Sequence, residues 1–284
     1  MIQLPGGIKT DGCLKRDFTF KPVTGLLERE LSECAVRAAS QPGLTHAEHV
    51  TDILYEALEV LAGEAVTKER VKALSVGDRQ FLMRNLAIHI DDAIVWLAAK
   101  CGECKESFDV SLRYSELPVK LAGNQFPEAC IETNIGQLKV RVPNGLDQEV
   151  LAAINSDSEA MHVLLTRLVS RACKNNGEVD LEIDFESLNR EQIVLIEETI
   201  EQMAPEVATE VLAECPNCRV DNRVPVNPYS CMERSGDELF IEIHALASCY
   251  HWGEHEILMM PRDRRHKYLG LIDRERGLNS NNNS

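Results

Sequence analysis

The sequence predicts an α+β protein: helical segments around a small zinc-ribbon-like β module, with a helical hairpin at the C-terminus. Three observations carry that expectation. Two stretches, "KCGECKESFDV" and "AECPNCRVDNRVPV", set the same C-x-x-C spacing between strand-like runs. Long segments around them place apolar residues at i, i+3, i+4 and i+7, the period of a helix that buries one face. Near the end, Trp252-Gly253 and Pro261 punctuate helical runs.

Taken in order, "GIKTDGCLKRDFTF" reads as a β-hairpin, because Asp11-Gly12 is a turn signal between two short strand-like runs. In "THAEHVTDILYEALEVLAG", Thr45 and Glu48 make a capping box, and Val50, Ile53, Leu54, Ala57, Leu58 and Leu61 form one apolar stripe, predicting a helix across the segment. A shorter helix follows Thr67, and "SVGDRQFLMRNL" starts another. In "DAIVWLAAKCGECKESFDVSL" an apolar run leads into the first cysteine pair and Phe108-Val110-Leu112 alternate after it, predicting a hairpin with the cysteines at its tip. "CIETNIGQLKVRVP" predicts a further hairpin through the alternation of Leu138, Val140 and Val142.

A second helical block follows. Ser156 and Glu159 cap a helix whose face is Met161, Leu164, Leu165, Leu168, Val169 and Ala172. A helix with Ile193, Ile196, Ile200 and Met203 then stops at Pro205, and "EVATEVLAECPNCRVDNRVPV" reads strand, cysteine pair, strand. The order helices, cysteine hairpin, helices, cysteine hairpin suggests a degenerate internal duplication, visible as pattern rather than residue identity. The tail adds a helix capped by Ser235 and Glu238, the short stretch "WGEHEILMM", and a last helix with Pro261 in its first turn. The expected segments are an N-terminal β-hairpin (1–25), a helical segment (26–98), the first cysteine hairpin and a β segment (99–145), a helical insertion (146–204), the second cysteine hairpin (205–230), C-terminal helices (231–276) and a disordered tail (277–284).

Composition narrows the function. The 284 residues carry 46 acidic and 30 basic side chains, a formal charge of −16, which repels phosphate and predicts no nucleic-acid partner. The longest apolar run, Ala93 to Ala99, is too short to span a bilayer. The start "MIQLPGGIKTDG" has no apolar signal core, so the ten cysteines are expected reduced, in a cytoplasmic setting. Cys13, Cys34, Cys130, Cys173, Cys231 and Cys249 are scattered singly and read as small hydrophobes.

The paired cysteines carry the chemistry. A hairpin tip can hold two sulfurs about 3.5–4 Å apart, as tetrahedral zinc with a Zn–S distance of about 2.3 Å requires. Cys101, Cys104, Cys215 and Cys218 are therefore the candidate ligands of one structural zinc, with no open position for water or substrate. A compact ribbon separates its pairs by about 15–20 residues; here the second pair follows 110 residues later, which requires the helices between to fold as an insertion. An iron–sulfur or redox-sensing use of the same thiols, a thioredoxin-like pair and plain packing at turns are the alternatives. A thioredoxin-like pair would open a helix after a strand, and neither pair is set that way. "HWGEH" matches the H-x-x-E-H of inverted zinc proteases, which would make His251, Glu254 and His255 a hydrolase site. Gly253 breaks the helix that such a site needs, and no catalytic residue is assigned. His46, His49, His89 and His162 read as surface residues. "PRDRRHKYLGLIDRER" interleaves its cations with Asp263, Asp273 and Glu275, as a solvated helix face does.

The stretches "LPGGIKTDGCLKRDFTFKPVTG", "LSVGDRQFLMRNL", the two cysteine hairpins and "EIHALASCYHWGEHEILMMPRDRRHKYLGLIDRE" together resemble the T-even-type bacteriophage base plate (hub) family of contractile phage tails, prophages and phage-like injection systems, over about residues 2–276. The resemblance implies a non-enzymatic structural or assembly role in a baseplate hub, in the cytoplasm of a bacterial host during assembly or in the virion. It implies other hub proteins or the tape measure protein as partners and leaves a homo-oligomer open. A tail tape-measure or hub assembly chaperone absent from the mature particle is the alternative. Zinc does not follow from the resemblance and stands on the cysteine spacing alone. Within this reading, Ser235 to Gly277 is the candidate docking segment, through Tyr250, Trp252 and Tyr268.

Overall fold

A computed structural model describes residues 2–41, 43–133, 136–171, 188–227, 229 and 236–277. Strands β1 (Ile8–Thr10) and β2 (Cys13–Lys15) form the predicted hairpin. Asp11 and Gly12 both take positive φ, 51° and 79°, the backbone sign of a two-residue turn that matches strand twist. After β3 (Phe18–Phe20), Thr24 caps α1 (Gly25–Ser40), and the predicted Thr45–Glu48 box caps α2 (His46–Ala57).

Helix α2 stops at Ala57, four residues short of the expected end. Leu58–Leu61 is strand β4, paired with β3 on one side and β5 (Glu64–Ala65) on the other. Leu58 and Leu61 are buried as predicted, at 1% and 0% exposure, but from a strand. The backbone of β3 supplies a ladder for this segment, and the positive φ of Ala62 and Gly63 turns the chain into β5. Helices α3 (Lys68–Ala73) and α4 (Val76–Ile90) follow, capped by Thr67 and Ser75. Together these elements enclose the largest core, which includes Leu54, Leu58, Leu61, Leu82 and Leu86.

Strands β6 (Val95–Lys100) and β7 (Ser107–Leu112) form the first cysteine hairpin. Beyond a short 3-10 turn at Tyr114–Glu116 and β8 (Val119–Lys120), β9 (Glu128–Thr133) and β10 (Gly136–Arg141) make the next hairpin. Helix α5 (Gly145–Leu151) is not among the expected elements, although Asn144 and Asp147 form a full capping box. Helix α6 (Asp157–Leu168) ends before the expected Val169, which opens strand β11 (Val169–Arg171) on the free edge of β10. Then come α7 (Arg190–Met203), β12 (Glu206–Val207) paired with β8, and β13 (Glu210–Glu214) with β14 (Asp221–Pro225), the second cysteine hairpin. Three helices follow among the described residues: α8 (Gly236–Tyr250), α9 (Glu254–Leu258) and α10 (Arg262–Glu275). The expected Ser235 cap, Cys173, Cys231 and the expected disorder of residues 278–284 lie outside the described residues.

The element order repeats. In the first half, β3 leads to a helix with Gly25 at its first position; α2 passes directly into β4, which returns to pair with β3; α4 then precedes a cysteine hairpin. In the second half, β10 leads to a helix beginning at Gly145; α6 passes directly into β11, which returns to pair with β10; α7 then precedes a cysteine hairpin. Helices α2 and α6 both have 12 residues. Ser75, the cap of α4, stands 26 residues before Cys101, and Asn189, the cap of α7, stands 26 before Cys215. The duplication suggested by the sequence pattern thus reappears as a repeat of elements.

One joint is also built twice. An isolated antiparallel bridge sets Ser75 against Asn144, and another sets Thr24 against Pro261. Arg79, four residues after Ser75, lies fully buried over Gly145; Arg265, four residues after Pro261, lies fully buried over Gly25. Arg79 donates to the carbonyls of Val71 (3.1 Å) and Ala47 (2.7 Å), whereas Arg265 reaches Glu28 (2.7 Å) and Glu242 (3.0 Å).

Helices α8, α9 and α10 pack around Leu246, Ile257, Leu258 and Ile272. Tyr250 stacks on Trp252 (centroids 4.6 Å, 18°), and Tyr268 meets both edge-on. The aromatics expected to dock a partner are thus largely engaged with one another. Arg262 and Arg265 of the basic run spend their charge on Glu28, so the stretch is an intramolecular joint more than a cationic face.

Candidate metal centre

Inward-facing residues bring the two cysteine hairpins together. Val95, Leu97 and Leu112 of the first and Val211 and Ala208 of the second share one apolar cluster with Tyr114, Leu117 and Val226. This packing, with β12 paired to β8, overcomes the 110-residue interval that, on spacing alone, weighs against a shared site.

The two tips have the same build. Cys101 N–H donates to the Glu106 carbonyl (2.9 Å) and Lys105 N–H to the Cys101 carbonyl (3.2 Å). Cys215 N–H donates to the Val220 carbonyl (3.0 Å) and Arg219 N–H to the Cys215 carbonyl (2.9 Å). The residue after each second cysteine, Lys105 and Arg219, takes φ of 64°. A non-glycine residue in that region is uncommon and costs energy; here it turns consecutive amides inward, toward the sulfurs.

All four sulfurs lie within 4.8 Å of one another. The short approaches run between hairpins, Cys101 to Cys218 at 3.5 Å and Cys104 to Cys215 at 3.7 Å. Tetrahedral zinc with Zn–S of about 2.3 Å places its sulfurs about 3.8 Å apart, so the cage is close to the size it would need. Cys101 and Cys215 are buried, and Cys104 and Cys218 are half-buried.

Backbone amides prepare the thiolates. The Cys104 N–H, aided by that of Glu103, lowers the Cys101 thiol to about 6, and the Glu106 N–H and the Asn217 side chain lower Cys104. Cys218 is pushed up to about 12: the Val220 N–H favours its thiolate, but burial and the three neighbouring sulfurs outweigh that. Four thiols in this space cannot all ionise without a cation between them. Donor type, spacing and amide support all suit a soft, tetrahedral metal.

Two asparagines escaped the sequence reading. Asn222 of β14 accepts from the Gly102 N–H (2.9 Å) and sets its amide nitrogen 3.7 Å from Cys101 Sγ, tying the second hairpin to the first tip. Asn217, between the cysteines of the second pair, reaches Cys104 across the same gap. No spacing rule singles out Asn222; only its proximity in "CRVDN" to the second pair could have drawn attention to it.

The H-x-x-E-H stretch is not assembled. His251 lies outside any helix with φ of 57°, and Gly253 is the N-cap of α9, so His251 and His255 do not share a helical face. Among the described residues the four cysteines are the only group of metal-type side chains close enough to share an ion.

A profile of the T4 bacteriophage base plate protein family matches residues 14–228, more than half of the sequence. The chain belongs to this family. The base plate match spans both cysteine hairpins and both repeats, and ends before α8. No curated protein and no solved structure matches the chain. No helix among the described residues is long and apolar enough to cross a membrane.

Proposed function

We propose that this base plate family member is a non-enzymatic subunit or assembly factor of a contractile-tail baseplate hub, and that Cys101, Cys104, Cys215 and Cys218 hold one structural zinc. The carrying observation is the set of four thiols, two from each repeat, within 4.8 Å of one another. Four sulfur ligands fill a tetrahedral zinc and leave no position for substrate, so the metal would act as a clamp. Its work would be mechanical: it fixes the distance between two hairpins that also meet through a small apolar cluster and the Asn222–Gly102 hydrogen bond. The segment boundaries given under Sequence analysis follow the same proposal, with 99–145 and 205–230 supplying the clamp and 146–204 the insertion between them.

Partners would be other tail proteins, hub subunits or the tape measure, met in the host cytoplasm during assembly or in the finished baseplate. The family description supports a tail role; the hub position and the metal are our reading. Purified protein should carry about one zinc per chain by elemental analysis. Cys215→Ser should release it and lower the melting temperature markedly, because structural zinc contributes about 10–16 kcal/mol of apparent binding energy in small domains. Zinc-free protein with an unchanged melt would sink the clamp. For the role, a knockout phage should lose assembled tails. Mass spectrometry of purified particles then separates a hub subunit, which is present, from an assembly chaperone, which is absent.

A further inference from the structure

The two cysteine hairpins offer a comparison inside one molecule. Each is a two-stranded sheet, so β6, β7, β13 and β14 each have one edge with no strand partner among the described residues. Which backbone groups point to that edge follows from the ladder. In an antiparallel pair, residues alternate between hydrogen-bonded and non-hydrogen-bonded positions, and the latter turn both N–H and C=O outward. The Cys101 N–H to Glu106 bond fixes the phase in the first hairpin, so Trp96, Ala98 and Lys100 of β6 and Ser107, Asp109 and Ser111 of β7 point outward. The Cys215 N–H to Val220 bond does the same in the second, giving Glu210, Leu212 and Glu214 on β13 and Asp221, Arg223 and Pro225 on β14. Pro225, which has no N–H, falls on an outward position as that phase requires.

Unpaired edges invite another strand, and proteins guard them with charge and proline. Three of these four edges carry at least one acidic side chain, and β6 carries none. Strand β14 carries Asp221, Arg223 and Pro225; β13 flanks Leu212 with Glu210 and Glu214; β7 presents Ser, Asp and Ser. At the positions of β6 that correspond to Glu210 and Glu214 stand Trp96 and Lys100. Trp96 is 68% exposed, and Ile94, two residues earlier on the same face, is 50% exposed.

We propose that the β6 edge is an interface for a second copy of this chain, pairing β6 with β6 antiparallel about a two-fold axis at Ala98. The edge is complementary to itself. With Ala98 opposite its own counterpart, Trp96 of each copy lies across from Lys100 of the other, an aromatic–cation pair at both ends of the ladder. The small alanine at the axis lets the strands approach without a clash, and the outward amides of Trp96, Ala98 and Lys100 meet their equals in register. The four-stranded sheet so formed hides the one edge of the four that carries no acidic side chain. The charge of −16 on each copy opposes the approach, so association should strengthen as salt screens it.

Sedimentation equilibrium of the full chain over a range of concentrations tests this. The wild type should form a reversible dimer that tightens with added salt. Ala98→Pro, which removes one outward N–H from the β6 edge, should weaken self-association by roughly tenfold or more, as should Trp96→Ser. Leu212→Ser, at an equally exposed position on a guarded edge, should leave the dimer intact. Trp96→Ser keeps the test decisive if proline disturbs the hairpin. A wild type that stays monomeric at every concentration overturns the proposal, as does a dimer that survives both substitutions on β6.

Discussion

Gly145 is glycine because Arg79 occupies the space that a side chain would need. A Cβ there would stand 2.6 Å from Arg79 Nη1 and 2.9 Å from the Lys72 carbonyl, and the fully buried guanidinium cannot swing aside. Gly145→Ala should therefore destabilise the protein by about 1–3 kcal/mol in chemical denaturation, the range for overpacking a close-packed site. Gly270 is the opposite case. It lies inside α10 with nothing within 4 Å of the place a methyl group would take, so Gly270→Ala should stabilise by about 0.5–1 kcal/mol through helix propensity. Two glycine-to-alanine changes of opposite sign separate steric need from mere tolerance. Asp147 is a further residue whose surroundings decide its effect. Burial would raise its carboxyl, but Arg141 (2.7 and 2.8 Å), the Asn144 N–H (2.9 Å) and Arg167 (2.7 Å) hold it below the usual value. A folded pKa below the unfolded one gives stability that is present above about pH 4, the unfolded value, and lost as pH falls through the folded one. Asp147→Asn should cost about 1–3 kcal/mol at neutral pH by breaking its charged hydrogen bonds to two half-exposed arginines, and should flatten the acid limb of a stability–pH curve. An unchanged acid limb would show that other carboxylates carry it.

At the scale of elements, what can be read from the sequence depends on whether the signal is local. The Thr45–Glu48 box, the Asp11-Gly12 turn and the Ser75 cap are short-range chemistry, and each helix or turn lies where those residues put it. The helix ends at Ala57 and Leu168 depart from expectation for a common reason. Leu58 and Leu61, like Val169, keep the apolar phase of the preceding helix, and what makes them strands is a distant partner, β3 in one case and β10 in the other. Helix propensity yields to a ladder that a single-sequence pattern does not display. Helix α5 escapes a periodicity reading because its seven residues are too few to show a period, although its cap is there to be read. The cysteine hairpins are legible through alternation, while their meeting depends on apolar contacts and on Asn222, neither of which leaves a spacing mark. That asparagine gives an element-scale test of the proposed clamp. Asn222→Ala removes the bond to the Gly102 amide and the approach to Cys101, and should weaken zinc retention against a competing chelator by about 10–100-fold while the four ligands remain. Retention equal to wild type would mean that the tips hold each other without it.

At the scale of the whole molecule, the repeat and the tail play different parts. The two repeats meet at the thiol cage and at the Ser75–Asn144 bridge; the tail meets the first repeat at the second bridge, Thr24 to Pro261. Gly25 lies 3.1 Å by its would-be Cβ from both Arg265 and the Leu258 backbone, Leu26 joins the apolar cluster of α8, α9 and α10, and Glu28 finds its partner in Arg265. The tail is therefore the cover of α1, not only a free arm for docking, although Phe240 and Ile241 on α8 remain 59% and 67% exposed. Ending the chain at residue 235 would bare Leu26 and strand the half-buried carboxylate of Glu28 beside an open surface. The truncated protein should melt at a clearly lower temperature and expose α1 to early proteolysis, since a lost apolar cover and a broken buried ion pair each cost a few kcal/mol. Its zinc content should match that of the full chain, because all four cysteines precede the cut. A truncated chain that melts like the full one would show that α1 holds its place through α2 alone. Loss of zinc on truncation would instead tie the cage to the tail, against the separation of clamp and cover argued from the two joints.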